Sequence, residues 1–313
     1  MNRLNLDKIL ASNPIRLLNA AIRAVLTIVA LLGMMNSYAS GPEVAASGLQ
    51  FPEGPVFVGN TLYFVDYATS DVLRLVGRKA EKVWHQDDCG ANGLVQVPGG
   101  LLVACYDGGV VVRISLDGKT LETIGKDDKG LPFLFPNDLA NDARGGVYFS
   151  GSGSESSLGK VYYRSADGRV RVVAQNIHYA NGLAVTPDGK KLYLAESAAN
   201  RLLEFDIALD GALSGQHQFA RLADILTLSG QQVFTPDGVR VDKHGNLFVG
   251  LYRGGGIAVI SPQAKLLNLI PLPGMHHANL AISPDDRSIL VTSSEDETPY
   301  GGALLLVPNP VAE

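Results

Sequence analysis

Six oxygen-bearing residues recur in one register along this chain: Glu53, Asn92, Asn137, Asn181, Asp237 and Asn279. Each opens a short motif: Glu53-Gly54-Pro55, Asn92-Gly93-Leu94, Asn137-Asp138-Leu139, Asn181-Gly182-Leu183, Asp237-Gly238-Val239 and Asn279-Leu280-Ala281. The chemistry open to such a set is cation binding. Convergent carboxylates without a counter-charge repel each other and lose hydration, so Glu53 and Asp237 together require a cation. Asparagine carbonyls would complete an all-oxygen shell, with no histidine or thiolate in it. That shell suits a hard divalent ion, calcium first, with zinc, manganese or magnesium as alternatives. Taken singly, Asn-Gly and Asp-Gly are hairpin-turn dipeptides, and a row of separate turns is the competing reading.

The elements around the six residues argue for the register. The motifs are spaced by 39, 45, 44, 56 and 42 residues, and a turn signal follows each one seven residues later. Next come the stretches "LYFVD", "LLVAC", "VYFSG", "LYLAE", "LFVGL" and "ILVTS", and beyond a short loop a further apolar stretch such as "VLRLV" or "VVVRI". Aromatic and branched residues between turn signals read as strands. A fourth strand follows in five copies ("EKVWH", "RVRVV"), while the sixth copy runs out after Val307. Residues near Val44 to Leu49 can supply its missing outer strand. The expectation is an all-β fold, a six-bladed β-propeller over residues 40–313 with strand exchange between the termini. The innermost strand of each blade then runs along the central channel, and the six aligned residues gather at one mouth. The long fourth interval carries an insertion over residues 208–234, with "ARLADILTLSG" as a short helix candidate.

Residues 1–39 read as a secretory signal: Arg3, Lys8, Arg16 and Arg23 precede an apolar run from Ala24 to Met35, then Ser37-Tyr38-Ala39 as a small-x-small site. Retention as an uncleaved anchor is the alternative. The expected location is periplasmic or secreted, with no membrane association after cleavage. The whole chain carries a formal charge of −5; residues 1–39 hold four basic side chains and one acidic, so the remainder carries −8. That balance disfavours nucleic acid as a partner and leaves a small-molecule substrate. Two cysteines, Cys89 and Cys105, fall at the same mouth, where either a disulfide or a reduced core pair is open.

The segments "FPEGPVF", "FPNDLANDARGGVYFSG", "YANGLAVTPDGKKLYLAES" and "FTPDGVRVDKHGNLFVG" resemble the senescence-marker-protein/gluconolactonase/luciferin-regenerating-enzyme family, which is itself similar to the paraoxonase and diisopropyl-fluorophosphatase propellers. The likeness spans roughly residues 48–307. It implies one catalytic divalent ion at the channel mouth, with Glu53, Asn181 and Asp237 as ligands and Asn137 as a further ligand or a substrate contact. It also implies Asp237 as catalytic base or nucleophile. Sugar-lactone members carry an arginine two residues before the third asparagine, where this chain has Phe135. A phenyl ring donates no hydrogen bonds, so a less polar lactone or ester is expected.

The expected activity is therefore divalent-metal-dependent hydrolysis of a lactone or related ester, the metal polarising the carbonyl and Asp237 serving as general base. Phosphotriester hydrolysis on the same site is one alternative; a propeller that binds ligand without chemistry is another, since fold alone does not fix function. The loops joining second and third strands lie at the same mouth, which nominates Tyr106, Ser152, Glu196, Tyr252 and Arg253 beside Phe135 as substrate contacts. His178 and His277 sit close to the aligned asparagines and are candidates for a proton shuttle. No phosphate-cradling loop and no zinc spacing occurs in the sequence.

Overall fold

The computed structural model describes residues 41–142, 144–226, 234–295 and 301–312. The expected signal over residues 1–39 lies outside the described residues, as does part of the 208–234 insertion. Six four-stranded antiparallel sheets make a six-bladed β-propeller. Its inner strands are Pro52–Val58, Ala91–Val97, Pro136–Asn141, Ala180–Val185, Thr235–Val241 and Leu280–Ile282, numbered here as blades 1 to 6. Blades 1 to 5 each add three strands in chain order. Blade 6 adds Ser288–Ser293 and Gly302–Pro308, and its outer strand is Glu43–Leu49 from the other end of the chain. That strand closes the ring as the sequence requires.

Neighbouring blades bury both faces of each sheet, which removes the apolar–polar alternation of a one-sided strand. Strand Gly100–Cys105 is buried at every residue. The core lies between blades: Val95, Leu102 and Val111 of blade 2 pack with Leu139, Phe149 and Tyr162 of blade 3. Phe149 and Tyr162 stack with ring centroids 4.8 Å apart, and Phe133 meets both rings edge-on at 5.0 Å. The insertion after blade 4 holds a single helical turn, Leu222–Ile225, with Leu222 buried against blades 4 and 5.

The dipeptides that could have been hairpin turns lie inside the inner strands. Their glycines serve close approach instead. A Cβ on Gly54 would stand 2.7 Å from the Asn92 carbonyl oxygen, one on Gly93 2.3 Å from that of Asn137, and one on Gly182 2.2 Å from that of Asp237. Each glycine lets the next blade's inner strand come in against it, and so sets the narrow bore of the channel.

Cys89 and Cys105 form a disulfide, with a sequence separation of 16 residues. The bond joins the segment before blade 2's inner strand to the end of its second strand. Beside it, the Asp107 and Gly108 N–H groups both donate to the Cys89 carbonyl, and the Tyr106 N–H donates to Gly90. The whole turn that carries Tyr106 is thus pinned. Replacing both cysteines by alanine is expected to lower stability by about 3 kcal/mol, from the loop closure lost in the unfolded chain. Urea unfolding of the double variant measures it; a change under about 1 kcal/mol would show that the hydrogen bonds alone suffice.

Candidate active site

At one mouth of the channel the inner strands open into a cavity of about 510 Å³. Its floor is made by Glu53, Asn92, Asn137, Asn181 and Asp237, five of the six aligned positions. Asn279, the sixth, does not line it. Its Oδ1 accepts the Leu280 N–H at 2.9 Å, and its side chain hydrogen-bonds Glu53.

A shared irregularity delivers these side chains. Pairing register slips between Glu53 and Val56, Ala91 and Gly93, Pro136 and Leu139, Ala180 and Leu183, and Pro236 and Val239. Each slip is at or beside an aligned residue. A bulge bends its strand and re-aims the side chain there, which is how five separate strands can address one point.

Two serines fix the amides. Asn137 Nδ2 donates to Ser152 Oγ at 3.1 Å, and Ser152 Oγ donates to the Ala180 carbonyl of the next blade at 2.9 Å. One blade on, Asn181 Nδ2 donates to Ser197 Oγ at 3.1 Å, which donates to the Pro236 carbonyl at 2.6 Å. A hydroxyl has one proton. With it given to a carbonyl, each serine can only accept from its asparagine, so each amide turns its oxygen away from the serine. Asn137 Oδ1 also accepts from Asn92 Nδ2 at 3.0 Å.

The carboxylates are held in an environment hostile to their charge. Glu53 is 4% exposed, and its Oε2 accepts the Gly54 N–H at 3.0 Å. Burial pushes its carboxyl up to about 8, with the Gly54 hydrogen bond opposing and the charge of Asp138 adding to the rise. Burial also lifts Asp237 well above the carboxylate range, with the charges of Glu53 and Asp138 adding and a hydrogen bond from Asn181 opposing. In the same channel lies an ion pair that sequence reasoning missed. Arg240 of blade 5 reaches Asp138 of blade 3 with Nη1 at 2.8 Å from Oδ2 and Nη2 at 3.3 Å from Oδ1. Asp138 stands where blades 1, 2, 4 and 5 carry glycine, the one cue the sequence offered.

Two carboxylates driven toward protonation, one buried and one half-buried, with fixed amides beside them, form a donor set that a hard divalent ion fits. Among the described residues no group of three or more His, Cys, Asp or Glu side chains is gathered as a metal site, so the fit rests on two carboxylates completed by amides. No Lys, Arg or His among the described residues lines the cavity to neutralise them.

The walls are aromatic. Phe51, Tyr67, Tyr106, Tyr179 and Tyr252 line the cavity, with Ser197, Ala198 and Thr235 completing it. Tyr106 and Tyr252 thus stand where the sequence put them. Phe51 and Tyr179 were missed, although each lies two residues before an aligned position, as Phe135 does. Several other expected contacts do not line the cavity. Phe135 packs instead behind Tyr106, ring centroids 5.0 Å apart. Ser152 is buried as the support of Asn137. Glu196 is buried too, accepting the His178 N–H at 2.8 Å and pairing with Arg201. His178 is exposed outside the cavity, and Arg253 likewise. His277 is fully buried, its Nε2 donating to the Pro273 carbonyl at 3.0 Å, and burial lowers its pKa. Its neighbour His276 stacks on Tyr252 at 4.0 Å and braces that wall.

Comparison with known proteins yields a concordant set. The sequence model of the SMP-30/Gluconolactonase/LRE-like region matches residues 51–295. A gluconolactonase of Zymomonas mobilis is 27% identical over 81% of this chain and 79% of its own length. Lactonase drp35 of Staphylococcus aureus strain USA300 is 30% identical over 68% of each chain. Among solved structures, a calcium-binding protein, regucalcin, from Agrobacterium tumefaciens superposes with a TM-score of 0.71 at 18% identity, covering 86% of this chain and 94% of its own.

Proposed function

The chain belongs to the SMP-30/gluconolactonase/LRE-like family, and from that premise we propose that it is an exported hydrolase of weakly polar lactones or related esters that works with one divalent ion, calcium first. The observation that carries this reading is the pair of carboxylates, buried Glu53 and half-buried Asp237, facing one cavity whose described lining offers no cationic side chain. The lactonases among its relatives support lactone hydrolysis, and the aromatic cavity walls are the ground for weak polarity. The Cys89–Cys105 disulfide supports an oxidising compartment, periplasmic or secreted.

Glu53, Asn181 and Asp237 would hold the ion, with Asn137 as fourth donor or as a contact to substrate. When bound, the ion supplies positive charge for the carbonyl oxygen and acidifies a nearby water. Asp237 accepts the proton of the attacking water as its oxygen adds to the lactone carbonyl carbon. The ring C–O bond then breaks, and the proton passes from Asp237 to the departing alkoxide, leaving a hydroxy acid. The fixed amide of Asn137 orients the substrate without moving during the reaction. The aromatic walls exclude water from the floor.

Protein purified without chelator is expected to contain one equivalent of divalent metal by mass spectrometry of the elements. Its hydrolysis of a lactone panel is expected to stop in EDTA and return with calcium. Undiminished hydrolysis in EDTA would overturn the metal assignment.

The raised Glu53 pKa gives a sign for the pH dependence. In the metal-free protein this carboxyl stays mostly protonated up to about pH 8, whereas in the unfolded chain it ionises near 4.5. Its contribution to stability is therefore full below about pH 4.5 and is lost as the pH rises toward 8. Binding of an ion must displace that proton. Apparent affinity is expected to rise by at least about tenfold per pH unit from pH 6 to 8, and more steeply where Asp237 must give up a proton as well. Calorimetric titration at three pH values checks it, and a flat affinity would count against Glu53 as a ligand.

A further inference from the structure

The cavity walls carry more information than the floor. Five rings surround the opening, from Phe51, Tyr67, Tyr106, Tyr179 and Tyr252. Phe51 meets Tyr67 edge-on at 6.0 Å, and Tyr67 meets Tyr106 edge-on at 6.2 Å. The Tyr106 and Tyr179 hydroxyls hydrogen-bond each other at 3.1 Å. That contact joins blade 2 to blade 4 and so passes over the blade between them, the one that supplies Asn137 to the floor.

Tyr179 occupies this place against its backbone preference. Its φ is +63°, in the left-handed region that disfavours side chains with a Cβ. Phe135, two residues before Asn137 and packed behind Tyr106, has φ +54°. At the equivalent position blade 2 has Gly90, at φ +56°, the residue such a backbone favours. Two aromatic residues standing where glycine would be relaxed point to a task for the rings, because strained backbone is found where function requires it. Tyr179 is also 42% exposed, so core packing does not account for a ring at this position.

We propose that the Tyr106–Tyr179 pair is a specificity-determining strap, which selects lactones bearing a flat aromatic substituent over polyhydroxylated ones. This rests on the lactone-hydrolase reading and names its substrate class. The Tyr106–Tyr179 bond uses one of that pair's two hydroxyl protons, and the Tyr67 hydroxyl donates to Asp107 at 3.2 Å, so ring surface outweighs free donors along these walls. The walls therefore offer the substrate ring faces and edges, which pair with a planar aromatic group. A polyol entering the same space would give up water around several hydroxyls, and a mostly aromatic wall returns few hydrogen bonds for them.

The test uses the full chain with its metal and two six-membered lactones, one benzo-fused and one polyhydroxylated. It adds a benzo-fused lactam, which binds without being hydrolysed. Tyr179→Gly is expected to raise KM for the benzo-fused lactone about tenfold, with kcat falling by less than about threefold. The lactam Kd should rise in parallel. Melting temperature should hold or increase, because glycine takes the left-handed backbone freely. Tyr179→Phe keeps the ring and removes the hydroxyl pair, and its selectivity should fall between the two. If Tyr179→Gly fails to fold, Tyr106→Leu carries the same expectations. Lactam affinity and lactone selectivity within twofold of the parent would overturn the strap. If neither lactone is hydrolysed by the parent, yet lactam binding weakens as stated, the hydrolase reading falls while the strap stands.

Discussion

Asp237→Asn is expected to lower kcat for lactone hydrolysis by about 1,000-fold, in the range of a lost general base. The substitution keeps the size and shape of the side chain and leaves an oxygen toward the floor, but it removes both the negative charge and the proton acceptor. Glu53→Gln should instead act mainly through metal content, because the amide can still accept the Gly54 N–H while contributing no charge. The two variants therefore separate: metal bound but inactive for Asp237→Asn at high calcium, metal lost for Glu53→Gln. Both should also make the metal-free protein more resistant to heat than the parent, since each removes one of two neighbouring carboxylates that repel each other. Asp237→Asn with metal retained and hydrolysis within tenfold of the parent would move the base elsewhere.

The second large effect is expected at the ion pair in the channel. Arg240→Leu leaves Asp138, whose side chain is 1% exposed, without its partner and in the field of Glu53 and Asp237. Breaking a buried pair on one side costs about 3–5 kcal/mol. The Asp138→Gly/Arg240→Leu double variant should recover most of that loss, since removing both charges leaves nothing uncompensated and glycine is what four other blades carry there. Urea unfolding of the two variants decides it. A cost below about 1 kcal/mol for Arg240→Leu would mean that water or a rearranged side chain reaches Asp138.

The six-bladed ring was legible because strand signals and turns recur at a near-constant interval, and the strand exchange followed from a sixth copy that runs out of chain. The convergence of the first residues was legible for the same reason, since a propeller puts the start of every inner strand at one mouth. Side-chain direction at the loops was not. Asp66 and Glu196 end second strands and look like free carboxylates in the sequence, yet both accept backbone N–H groups from the segment ahead of their own inner strand. Asp66 takes those of Gln50 and Phe51, at 2.8 and 2.9 Å. The sequence has no symbol for a loop that curls back over a carboxylate. Phe51 and Tyr179 could have been found by asking of every repeat what was asked of Phe135. Asp138 needed the opposite question: which repeat lacks the glycine that the others use for close approach?

Ring closure by residues 43–49 against the strand Gly302–Pro308 has a consequence for biosynthesis. The partner of the first strand is synthesised about 250 residues after it, and pairings so distant along the chain form late and slowly. Until they form, blade 1, which supplies Glu53, has no neighbour on its blade 6 side. A polypeptide truncated by premature termination before Gly302 would hold most of its blades and no finished centre. Metal uptake would then report whether the ring had closed.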